Sequence, residues 1–164
     1  MNLANMNNPA LMSPIQIESR VDTSLSAIDA ITRLVIHGSL LAQSDSWRDG
    51  LMGHVRPYTK KIEDHVFFDI LSSLFALSND LAGSDAVDSR IVSGMNGILL
   101  VARRILLGRD SPIIKKRILD DNEIERLNLW FDVVGDTYHR LTSFKNVDRD
   151  FLFGKNLKDN LPQP

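Results

Sequence analysis

Ile17, Val21, Leu25, Ile28, Ile31 and Val35 fall at spacings of three and four. That spacing places them on one apolar face of an amphipathic helix. The same period returns in Ile62, Val66, Ile70, Leu74 and Leu77, then in Ile91, Met95, Ile98, Ala102 and Ile105, and again in Leu127, Trp130, Phe131, Val134, Tyr138 and Leu141. No alternating strand pattern of comparable strength occurs anywhere. A chain of 164 residues with this patterning is expected to be one all-α domain, a four- to five-helix bundle.

A second regularity lies across the first. Gly53, Pro57, Lys60 and Lys61 recur at the same spacing as Gly108, Pro112, Lys115 and Lys116, so that GxxxPxxKK occurs twice. Ser19-Arg20-Val21 upstream of the first block resembles Ser89-Arg90-Ile91 upstream of the second. The two upstream stretches align without a gap, matching Arg20 to Arg90, Arg33 to Arg103 and Gly38 to Gly108. Downstream, Phe68-Asp69 is echoed by Phe131-Asp132. The pattern suggests a duplicated helical hairpin with pseudo-twofold symmetry. It also suggests punctuation: Gly108 suits the end of a helix, and Pro57 and Pro112 suit first turns.

Local signals divide the rest. Residues 1–14 are rich in Asn, Met and Ala with two prolines, and are expected to be a flexible N-terminal segment. The helical domain is expected over 15–144, and 145–164 read as a polar C-terminal tail. Residues 44–53 read as a short helix or structured loop. Ser84 and Asp85 are expected to open the third helix, and Asp120 with Glu123 resembles a capping box for the last. Gly94 and Gly97 cost about 1 kcal/mol each against alanine inside a helix, which points to close helix approach.

Composition removes several classes of function. The absence of cysteine excludes disulfides and thiolate metal sites. A formal charge of −2 argues against wholesale binding to nucleic acid or membrane. The opening residues lack the pattern of a signal peptide, and contiguous apolar runs such as 98–102 are too short to span a bilayer. A cytoplasmic location without membrane contact is expected.

Candidate chemistry is sparse. Arg103, Arg104, Arg109, Lys115, Lys116 and Arg117 concentrate positive charge, and Lys60 and Lys61 form a second pair. Lysines soon after a helix-starting proline face the positive end of the helix dipole, so both pairs are candidate contacts for an anion or an acidic partner. His65 with Asp69, and Asp136 with His139, are each spaced for one helix face. The doubled Glu-x-x-His motif of a di-iron bundle is missing, so no metal and no cofactor are expected.

Five residues lie between Arg48 and His54. This pair superficially resembles the Arg-x(4–6)-His motif of HEPN-type ribonucleases, which are small helical bundles. The resemblance covers seven residues and the fold class. It implies an RNA-cleaving site at a dimer cleft, with Arg48 and His54 as the catalytic pair. Gly50 and Gly53 interrupt the helix that should present it.

The leading expectation is therefore a non-enzymatic interaction module: a regulator, adaptor or accessory subunit. It would bind another protein, or a second copy of itself, through apolar faces left exposed on the helices at 61–80 and 85–107. The alternative is a nucleic-acid-associated helical protein that uses the basic residues, or Arg48 and His54.

Overall fold

The computed structural model describes residues 19–22, 24–39, 45–56, 58, 62–81 and 86–143. Residues 1–14 and 145–164, and Pro57, Lys60, Lys61, Ser84 and Asp85, for which expectations were stated above, lie outside these residues. The protein is all-α: among the described residues there is no strand, and an isolated bridge joins Val55 to Tyr58.

Among the described residues the first helix, α1, spans Ala27–Gly38. It does not open near Ser19. The Asp22 carboxylate accepts from both the backbone N–H and the hydroxyl of Ser24, at 2.9 and 2.6 Å. This local turn competes with helix. Ser26 then caps the helix by accepting from the Asp29 N–H at 3.2 Å. The consequence is a change of phase. Val21 reaches the core from a turn, and α1 buries Ala30, Leu34 and His37 while Ile28 stands 76% exposed. The face expected from Ile17 onward was set by residues that precede the helix.

A 3-10 turn at Asp45–Asp49 leads into the short helix α2, Leu51–Val55, which matches the expectation for 44–53. Helix α3 spans Asp64–Ala76 with Glu63 at its N-cap, so it does not begin directly at Pro57. Nine of its thirteen residues are buried. That wide apolar arc belongs to a central helix, and the expected exposed face on this element is absent. A single turn, α4, follows at Ser78–Leu81.

Asp88 caps the next helix by accepting from the Arg90 N–H at 2.8 Å. From there the chain stays helical through residue 107, as α5 (Ser89–Asn96), a π-helical stretch (Gly97–Ala102) and α6 (Arg103–Leu107). Helix α7 spans Pro112–Lys115. Its close is a Schellman motif: Ile118 donates to the Ile113 carbonyl, Arg117 donates to Ile114, and Arg117 sits in the left-handed region at φ 51°. The last helix among the described residues, α8, spans Asp121–Ser143. Asp120 caps it as expected, accepting from the Glu123 N–H at 2.8 Å. The Glu123 carboxylate turns instead to Arg126.

Aromatic packing joins α3 to α8. Phe67 stacks on Trp130 at 5.3 Å and meets Phe131 edge-on at 5.6 Å, while Phe68 meets Trp130 edge-on at 5.0 Å. The Trp130 N–H donates to Asp64 at 2.7 Å. Arg126, nearly buried, ion-pairs with Asp64 and with Glu123 and donates to the Ile62 carbonyl at 2.6 Å. A buried charge held this way has its donors satisfied by fixed partners.

Candidate interaction site

Helices α1 and α5 cross backbone to backbone. A Cβ added to Gly38 would overlap the Gly94 carbonyl oxygen, and one added to Gly97 would overlap that of Gly38. A Cβ on Gly94 would lie 2.7 Å from the Leu34 carbonyl oxygen. Glycine is required at all three positions, which meets the expectation of close approach at Gly94 and Gly97.

Beside this crossing runs an open groove of about 1190 Å³. Val35, Val87, Val92, Leu100 and Val101 supply its apolar lining, with Ser39, Ser89, Ser93 and Asn96 as neutral polar groups and Arg90 as a charged one. Leu100 is 64% exposed and Val92 37%. Leu100 and Val101 belong to the π-helical stretch. Inserted π-turns often occur where a helix carries function. On α1, Ile28 lies on the same helical face as Val35, about two turns before it.

Residues 89–115 are apolar enough in length and composition to cross a membrane, with mean hydropathy of 1.5 over an 18-residue window, of which 39% is buried inside the protein. Counting only contiguous apolar runs understated this stretch. The glycines that pack on α1, and the pairing of Arg103 described below, account for part of it as an internal helix.

The floor behind the crossing is polar. Arg33 and His37 on α1 both reach Asp69 on α3: Arg33 forms an ion pair, and the His37 Nε2 lies 2.9 Å from Asp69 Oδ2. The other ring nitrogen, Nδ1, accepts from the Leu51 N–H at 3.1 Å. Burial raises the Asp69 carboxyl, but the His37 and Arg33 contacts outweigh it and hold the group below the usual carboxylate range. The two oxygens of Asp69 are thus taken by Arg33 and by the His37 ring, not by a metal shared with His65. Among the described residues no group of three potential ligands could hold a metal ion.

The basic residues divide. Arg103 pairs with Asp132 at 2.9 Å and lies over the Phe131 ring at 6.0 Å, so it serves the packing of α6 on α8. Lys115 pairs with Asp110 at 3.0 Å. Arg104, Arg109, Lys116 and Arg117 are exposed. Lys115 is the last residue of α7 and Lys116 its C-cap. They therefore lie at the negative end of that dipole, contrary to the expected N-terminal placement, because α7 is a single turn.

Arg48 is exposed on the 3-10 turn, and His54 is half-buried on α2. Two separate short elements carry the pair, with Gly50 as N-cap between them and Gly53 packed on the Arg48 backbone. A continuous helix presenting both side chains is not what the backbone provides.

Sequence reasoning missed His37, Asp69 as its partner, and the Arg126–Asp64–Trp130 cluster. His37 lies 32 residues from Asp69, and Arg126 and Trp130 lie 62 and 66 residues from Asp64. The available signal was chemical: an indole N–H and an arginine on an apolar helix face both demand acceptors. No protein-family model matches the chain, and neither a curated protein nor a solved structure does.

Proposed function

We propose that this protein is a non-enzymatic helical interaction module, a regulator or accessory subunit that binds another protein or a second copy of itself. The groove beside the Gly38–Gly97 crossing carries the reading. Val92 and Leu100 are exposed on one wall of it, and Ile28 extends the same face of α1. An apolar surface gathered on two packed helices is suited to receive a partner's helix or loop. Pull-down from the native host with the wild type and with Leu100→Glu tests this. Partners captured by the wild type and lost by the variant are expected. Equal capture by both sinks the reading.

A further reading concerns the architecture, a four- to five-helix bundle built from two related hairpins. Arg33 pairs with Asp69 in the first half, and Arg103 pairs with Asp132 in the second. These are the positions that align in the sequence. Gly38 and Gly108 align too but differ in role, since Gly38 makes the helix crossing and Gly108 closes α6.

The second functional reading, nucleic-acid contact, rests on the exposed cations Arg104, Arg109, Lys116 and Arg117. It requires binding to generic RNA or DNA that weakens steeply with salt.

A further inference from the structure

His37 is held by both ring nitrogens and is only 3% exposed. An N–H can donate only to a nitrogen that carries no proton, so the bond from Leu51 to Nδ1 fixes the tautomer. The ring proton is on Nε2 and points at Asp69. Leu51 opens α2, and its N-cap Gly50 has no side chain to offer. The imidazole therefore serves as the acceptor for that N–H from 14 residues away. A second tie holds the same segment: the Trp47 indole N–H donates to the Ser39 carbonyl at 2.8 Å. Ser39 lines the groove.

We propose that His37 is an acid-sensitive latch: a second proton on its ring releases α2 and the preceding 3-10 turn from the end of α1, and so reshapes the groove at Ser39. The incoming proton must go to Nδ1, since Nε2 already has one. There it faces the Leu51 N–H, donor against donor, across 3.1 Å. The bond is lost, and a buried N–H is left without its acceptor.

The surrounding charges set the balance. On α3, Asp69 attracts the imidazolium, but its other oxygen is already held by Arg33 of α1. Also on α3, Asp64 is bound to Arg126 and His65 is exposed. On the segment that would move, Arg48 and Asp49 are exposed and His54 is half-buried. On α5, Arg90 is paired with Asp88, and the π-helical stretch carries no titratable group. Asp22, exposed, acts on the Arg33–Asp69 pair from the turn before α1. Among the described residues Asp69 is the one carboxylate bonded to the ring, and Arg33 already shares it.

The test is hydrogen exchange with ring-nitrogen NMR on the full chain, between about pH 7.5 and about pH 5.5, where imidazoles gain a proton. Protection of the Leu51 amide, corrected for intrinsic exchange, should fall about tenfold as Nδ1 protonates. Amides at 127–134 in α8 should keep theirs, and His37→Asn should abolish the pH dependence at Leu51. If that variant does not fold, coincidence of ring protonation and Leu51 release in the wild type decides. Unchanged Leu51 protection with a protonated ring overturns the latch. So does a ring that stays neutral until the whole protein unfolds, or an equal loss in α8.

Discussion

Gly97 lies so close to Gly38 that a single added methyl group on Gly97 would overlap the Gly38 carbonyl oxygen. The atom in the way is backbone, so no side-chain rotation relieves it. Gly97→Ala should gain about 1 kcal/mol of helix propensity and still lose net stability by about 1–3 kcal/mol, because the helices must separate. Gly135→Ala is the control. Its added Cβ would meet Leu99 at 3.7 Å, an ordinary contact. There the gain of up to about 1 kcal/mol should survive. Urea denaturation of the two variants checks the opposite signs.

Arg126 should be the costliest single polar residue to remove. Arg126→Ala leaves Asp64 nearly buried with only the Trp130 N–H, and strands Glu123 and the Ile62 carbonyl. Breaking a buried pair in this way costs about 3–5 kcal/mol. Thermal and chemical denaturation should place the variant well below a surface control such as Arg109→Ala.

Asp69 gives a pH signature. Its folded carboxyl lies below the ordinary value, so its contribution to stability is present above the unfolded value and lost as pH falls through the folded one. The loss therefore falls below about pH 4, where unfolded carboxylates begin to protonate. Asp69→Asn should be less stable than the wild type at neutral pH and should lose less on acidification from about pH 5 to about pH 3. Parallel stability curves for the two proteins would contradict this.

Arg117 occupies a left-handed position that glycine adopts without strain. Arg117→Gly should stabilise the protein by about 1 kcal/mol through the Schellman turn after α7. Urea midpoints of variant and wild type measure it.

Much of the helical pattern was legible in the sequence, because burial is periodic. The Asp120 cap and the tight glycines at 94 and 97 were legible too, since caps and glycines act locally. The phase of α1 was not. Asp22, Ser24 and Ser26 stop the helix from extending upstream, and a turn of that kind competes with periodicity on nearly equal terms. The burial of α3 was also hidden, since a wide apolar arc fits both a central helix and a shared one. The cluster of Arg33, His37 and Asp69 depends on how α1 meets α3, and no local rule encodes that pairing.

The account turns on one face. Incorporating a photoreactive phenylalanine analogue at position 100, with an equivalent label at the exposed Glu125 on α8 as control, tests it in the native host. Irradiation should join position 100 to a protein, either a partner or a second copy, and leave position 125 free. Adducts that are no more frequent at 100 than at 125, or that contain nucleic acid instead of protein, would contradict the account.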